Sequence, residues 1–156
     1  MGYWNRRQME EHERSWSSSD KSVCNECIEE PALQSIVQTD LDSACACDFC
    51  GRTPAAPLDS LVSAFVNGLK NEFELAIDSV PWEGRAGGYL INLQWDTYEL
   101  VWDLGDVFKS EELLLAVCDA VHDDTWVEKD WVTRRRDEVL TDAWTEFCEA
   151  VKYQTR

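Results

Sequence analysis

Nineteen residues separate the pair Cys24 and Cys27 from the pair Cys47 and Cys50, and two pairs of this kind can place four thiolates around one metal ion. Each Cys-x-x-Cys turn aims two sulfurs at one point, and the span between the pairs falls in the roughly 15–20-residue window of four-cysteine zinc modules. Four soft ligands at about 2.3 Å complete a zinc tetrahedron and leave no position for water, so such a centre supports folding and performs no chemistry. Gly51 follows the second pair directly, where tolerance of positive φ lets the chain turn beneath the metal. Ile28 follows the first pair, so only one knuckle has that feature. The competing readings are free thiols or a redox Cys-x-x-Cys motif. Cys45 offers a third sulfur for the two positions of the second pair, although Cys47 with Cys50 has the better spacing. Cys118 and Cys148 fall in apolar helical patterns and read as core, where free cysteine behaves as a small hydrophobe. The expected cofactor is one structural zinc ion per chain, held by Cys24, Cys27, Cys47 and Cys50.

Other groups carry weaker signals. Arg7 and His12 match the Arg-x4-6-His signature of HEPN ribonucleases, in which arginine steadies phosphate and histidine moves protons. Their neighbours Glu10, Glu11 and Glu13 would repel an RNA phosphate. His122 stands beside Asp123 and Asp124, which reads as a solvated helix end before it reads as a metal site. The loop Gly84-Arg85-Ala86-Gly87-Gly88 could cradle a phosphate through backbone amides. It lacks both the Lys-Ser/Thr ending of a P-loop and the spacing of a dinucleotide fingerprint, so a tight loop is the better reading. Asp96, Asp103 and Asp106 read as a wet helix face. No catalytic residue is assigned, and the expected protein is not an enzyme. A small ribonuclease or nucleotide-handling enzyme using Arg7 and His12 or the Arg85 loop is the rival reading.

The elements that position the cysteines are mainly helices. Residues 2–15 form a polar helix candidate, and Ser15-Trp16-Ser17-Ser18-Ser19-Asp20 stops it with residues that bond their own backbone in turns. Residues 21–56 make the zinc-binding module, treble-clef-like or zinc-ribbon-like, with a short helix over Glu29 to Gln38 that Pro31 helps to start. From Pro57 the residues Leu58, Leu61, Val62, Phe65, Leu69, Phe73, Ala76, Ile77 and Val80 recur at three- and four-residue steps, predicting one helix that Pro81 ends. It would bury one side of the second knuckle, with Phe49 between metal and helix. Tyr89 to Leu93 suggest a short strand, and Trp95 to Phe108 and Glu111 to Val121 suggest helices, the latter capped by Ser110. Thr133 to Tyr153 complete the set with an apolar face through Leu140, Trp144 and Phe147. The expectation is a single domain over 1–156 (N-terminal helix 1–20, module 21–56, helical body 57–156), mainly α with little β.

Charge narrows the partners. The 156 residues carry 31 acids and 14 Lys or Arg, a formal net charge of -17, and residues 57–133 hold sixteen acids against four bases. Duplex binding leaves a basic footprint, so nucleic acid is not the expected partner. A nucleic-acid-binding zinc module would have to use Arg6, Arg7 and Arg14 or Arg134, Arg135 and Arg136. A basic protein surface suits this acidity better. Trp4, Trp16 and Trp131, with polar sequence neighbours, are candidates for an exposed apolar surface. The opening Met-Gly-Tyr-Trp-Asn-Arg-Arg has no apolar signal region, and an odd count of seven cysteines suits disulfides poorly. A reducing cytosol is the expected compartment. No stretch approaches the roughly eighteen apolar residues of a membrane span.

A set of motifs carries a resemblance. Met1-Gly2-Tyr3-Trp4, Glu13-Arg14-Ser15-Trp16-Ser17-Ser18, Val23-Cys24-Asn25-Glu26-Cys27, Cys47-Asp48-Phe49-Cys50-Gly51-Arg52, Ala55-Ala56-Pro57-Leu58-Asp59, Gly84-Arg85-Ala86-Gly87-Gly88-Tyr89 and Trp144-Thr145-Glu146-Phe147-Cys148-Glu149-Ala150-Val151-Lys152-Tyr153-Gln154-Thr155-Arg156 occur in that order. Together they resemble the HEPN/RES N-terminal domain over nearly the whole chain. The resemblance implies a bacterial accessory domain in front of RES effectors, which attack NAD, or HEPN effectors, which cut RNA, in toxin-antitoxin and phage-defence settings. It implies a non-catalytic regulatory and interaction role. Partners would be a RES or HEPN effector domain, in cis or in trans, and a protein partner or antitoxin. The catalytic arginines and serine of a RES domain would lie beyond Arg156, so only the four zinc cysteines carry over.

Overall fold

A computed structural model describes residues 14–129 apart from 86, 90 and 92. The first elements surround the cysteines. Strand β1 (Ser22–Val23) leads into a 3-10 turn at Asn25–Cys27, and helix α1 (Pro31–Thr39) follows. Pro31 stands at its first position, where a missing N–H costs nothing, and the Glu30 carboxylate accepts from the Ala32 N–H at 3.4 Å. Strand β2 (Ala56–Pro57) pairs antiparallel with β1 and runs directly into α2 (Leu58–Glu72). Leu58, Leu61, Val62, Phe65, Val66 and Leu69 form the buried stripe of α2, as the helical periodicity requires.

The helix ends earlier than that periodicity predicts. Phe73 is extended, with φ -119° and ψ 157°, and Phe73–Leu75 is strand β3. It pairs antiparallel with β7 (Thr125–Glu128), and β7 pairs antiparallel with β6 (Trp95–Asp96). The Phe73 ring meets Trp95 edge-on at 5.6 Å, and Trp126 and Val127 of β7 are fully buried. Ladder pairing and burial of these rings outweigh continuation of the helix. Ala76–Ser79 makes one turn, α3. Ile77, assigned by periodicity to the buried stripe, is 73% exposed. A hairpin of β4 (Trp82–Glu83) and β5 (Gly88–Tyr89) comes next, so the strand expected over Tyr89 to Leu93 lies earlier and is shorter.

Helix α4 (Thr97–Asp103) begins with a capping box, the Asp96 carboxylate accepting from Glu99 N and the Glu99 carboxylate from Asp96 N. The helical pattern over Trp95 to Phe108 therefore begins in a strand and ends at Asp103, before a 3-10 turn at Gly105–Val107. Helix α5 (Glu111–Ala120) is capped by the Ser110 hydroxyl, which accepts from Leu113 N at 3.3 Å. The Thr97 hydroxyl, buried beside β7, donates to the His122 carbonyl at 2.7 Å and accepts from Asp124 N and Trp126 Nε1, both at 3.0 Å. One side chain thus binds the start of α4, the end of the α5 connection and the sheet. About 46% of the described residues are helical and 20% lie in strands or bridges. That share of strand corrects the expectation of little β. Residues 2–13 and 133–153, read as helices from sequence, lie outside the described residues.

Candidate metal centre

Two knuckles meet at the edge of the core. Cys27 N donates to Cys24 O at 3.1 Å, and Gly51 N donates to Cys47 O at 2.8 Å. Gly51 takes φ +73°, the left-handed conformation that its position implied. The side chain of Asp48 joins the knuckles: its carboxylate accepts from Ser22 N at 2.6 Å, while Asp48 N donates to Ser22 O at 3.0 Å. A second tie is the ion pair of Arg52 with Glu26. The first knuckle is also held to the far side of the fold, because Lys109 N donates to Cys27 O at 3.0 Å and Glu29 N to Val107 O at 2.8 Å. Sequence reasoning missed Asp48. The available signal was a short carboxylate between two turn-forming cysteines, a type that readily bonds backbone amides.

The sulfurs of Cys24, Cys27, Cys47 and Cys50 all lie within 4.8 Å of one another. Cys24 to Cys50 is 3.4 Å, Cys24 to Cys27 is 3.6 Å and Cys27 to Cys47 is 3.7 Å. A tetrahedron with arms of about 2.3 Å has edges of about 3.8 Å, so the spacing suits four thiolates about one ion. Cys24, Cys27 and Cys47 are buried and Cys50 is exposed, which leaves one side of the cluster at the surface. These four residues could hold one metal ion. Cys45 is outside the group and packs, half-buried, against the core.

The thiols of the cluster differ in their electrostatics. Burial pushes the Cys27 thiol well up, and hydrogen bonds with Cys50, Cys24 and Cys47 push it further. Burial also raises Cys24, joined by Cys50 and opposed by Cys27. Burial acts to raise Cys47 too, but backbone hydrogen bonds at Phe49, Cys24 and Cys50 outweigh it and hold that thiol below its ordinary range. One thiol is thus shifted toward ionisation and two are shifted away from it. A divalent cation held there would supply the missing charge and make full deprotonation favourable.

The remaining sequence candidates separate. The Arg85 loop is the hairpin turn between β4 and β5, and the Glu83 carboxylate accepts from Arg85 N at 3.3 Å while Glu83 O accepts from Gly87 N at 2.9 Å. Glu83 thus occupies two of the amides that a phosphate would need, one through its carboxylate and one through its carbonyl. His122 bonds the Ser17 hydroxyl through Nε2 at 3.1 Å, and the clustering of metal-ligating groups among the described residues does not include it. Phe49 is half-buried against the core, with Lys21 Nζ 5.9 Å from its ring centre. Trp16, expected at an exposed surface, is buried at 8% exposure. It bridges to Val121, and the Arg14 guanidinium covers its ring at 3.9 Å. Arg7, His12, Trp4, Trp131 and Cys148 lie outside the described residues, as do Arg6 and Arg134 to Arg136.

A four-sulfur cluster gripped by two knuckles and sealed onto a mixed helix and strand core defines a small domain with a candidate metal centre at its edge. The family model of HEPN/RES N-terminal domain 1 matches residues 41–156, and the chain belongs to that family. The match takes in Cys47 and Cys50 and begins after Cys24 and Cys27, so it covers less than the whole-chain resemblance. Comparison with curated proteins and with solved structures gave no match. No helix of the described residues is long and apolar enough to cross a membrane.

Proposed function

We propose that this chain is a zinc-stabilised, non-catalytic accessory domain that serves a RES-type or HEPN-type effector, attached or separate, as a regulatory interaction module. The observation that carries the reading is family membership over residues 41–156. The sulfur geometry supports a metal, and zinc fits because four thiolates at tetrahedral spacing suit a closed structural site. Cys24, Cys27, Cys47 and Cys50 would hold the ion, which would supply cross-linking charge and no reaction. The module and the helical body contribute to one buried cluster, from Val23 and Cys24 through Leu58 to Trp126, which supports a single domain. The setting implied by the family is bacterial, cytoplasmic toxin-antitoxin or phage defence.

Metal content by mass spectrometry, on protein purified without added metal, tests the centre when paired with a native thiol count. One zinc per chain and three reactive thiols of the seven are expected. Another metal, or none with all thiols reactive, overturns the zinc assignment. Cleavage of RNA or NAD by the purified chain, abolished by His12→Ala or Arg85→Ala, overturns the non-catalytic role.

A further inference from the structure

Helix α4 buries Thr97, Leu100 and Val101 and turns two large aromatic rings outward. Tyr98 and Trp102 are 50% and 45% exposed. One helical turn apart, they stack with centroids 5.5 Å apart and planes at 22°. Gln94, Trp95, Glu99 and Asp103 complete a shallow groove of about 390 Å³. Glu99 and Asp103 repeat the four-residue step of the rings, so an aromatic row runs beside a carboxylate row. In sequence, residues 94–124 hold nine acids and one lysine.

We infer that this groove docks a basic segment of a partner protein, with an arginine side chain laid over the Tyr98 and Trp102 rings and paired with Glu99 and Asp103. The choice follows from what each occupant would cost. An apolar partner would cover the rings but strip water from two carboxylates with no counter-charge. A nucleic acid or an anionic membrane would meet the acidic row as a like charge. A second copy docked through the same face would set one acidic row against another, on chains that each carry -17. A guanidinium satisfies both rows, because its plane stacks on an aromatic face while its N–H groups reach carboxylates. The inference extends the accessory-domain reading to a partner chemistry, and it holds whether or not a metal fills the cysteine cluster.

Fluorescence anisotropy on the full chain tests it, using a labelled peptide of four arginines spaced by glycines and its citrulline counterpart. The arginine peptide should bind at least about tenfold more tightly than the citrulline peptide. The double variant Tyr98→Ala/Trp102→Ala keeps the net charge and should lose at least about fivefold in affinity. Tyr98→Phe/Trp102→Phe should retain binding, separating ring chemistry from any effect on folding. Glu111→Gln/Glu112→Gln, which removes two charges from α5, should change affinity less than twofold. Equal binding by the alanine variant, or an equal loss in the α5 variant, would reduce the effect to general attraction and overturn the site. Self-association by light scattering that the alanine variant abolishes would assign the groove to a second copy and overturn it as well.

Discussion

Between Ser22 and Leu58 the chain uses two-residue strands, one short helix and tight turns, and its shape comes from side-chain bonds to backbone and from four converging sulfurs. Between Phe73 and Glu128 it uses a three-stranded sheet, a hairpin, the single turn α3 and two longer helices around Trp126, Val101 and Val117. The first region adds rare residue types at fixed spacing to the burial of Val23, Ile28, Val37, Ala55 and Ala56. The second depends on apolar burial, to which many residues contribute in part. The two regions should therefore fail differently: the module through one atom, the body through loss of packed volume.

The largest effect is expected in the module. Cys24→Ser or Cys50→Ser leaves three sulfurs, and metal affinity is coupled to folding in such sites. Each variant should lose the ion and lower Tm by roughly 10 °C or more. Hydrogen exchange should accelerate between Ser22 and Leu58 and remain slow in β7. Full metal content and an unchanged Tm in both variants would remove the metal from the account and leave the module held by packing alone.

Trp126→Ala is the matching break in the body. The ring is fully buried, and removal of a core tryptophan costs roughly 3–5 kcal/mol. Denaturant unfolding should show that loss, while the folded fraction keeps its metal. Metal release without unfolding would mean that the two regions are not separable in this way.

Thr97→Val sharpens the same contrast at nearly constant volume. The hydroxyl serves three partners, and valine leaves Asp124 N–H and Trp126 Nε1–H without their acceptor. A loss of roughly 1–3 kcal/mol is expected in denaturant unfolding, as for an orphaned buried donor. Thr97→Ser, which keeps the oxygen, should recover most of it.

The contrast also explains what could be read from the sequence. The convergence of the four cysteines, the Gly51 turn, a short helix near Pro31 and the Ser110 cap were legible because each depends on a local chemical property of one residue type. The α2 stripe was legible as far as Leu69. Phe73, Ala76, Ile77 and Val80 continue the same spacing, yet Phe73 belongs to a strand because β7 lies beside it. Its partner Glu128 is 55 positions away in sequence, and no local pattern announces such a pairing. Thr125–Glu128 was missed for the same reason: four residues are too few for a period. The polar neighbours of Trp16 suggested exposure, but the ring's surroundings are set by Val121, distant in sequence, and Arg14, two positions away.

The smallest expected effect uses Cys118, the body's cysteine among the described residues, against those of the module. Burial raises its thiol, and the neighbouring Asp119 carboxylate adds to the shift. An unfolded thiol ionises near about 8.5, so above that pH the unfolded chain gives up its proton while the native chain still holds it. The native state then binds more protons, and the stability contributed by Cys118 is complete below about pH 8.5 and falls as pH rises toward the native value. Metal-bound thiolates respond in the opposite sense, because protons compete with the ion and rising pH strengthens binding. Cys118→Ala should therefore flatten the alkaline side of the Tm profile between about pH 8.5 and 10, with metal content unchanged. A profile as steep as that of the parent chain would place the alkaline loss elsewhere and leave Cys118 as packing alone.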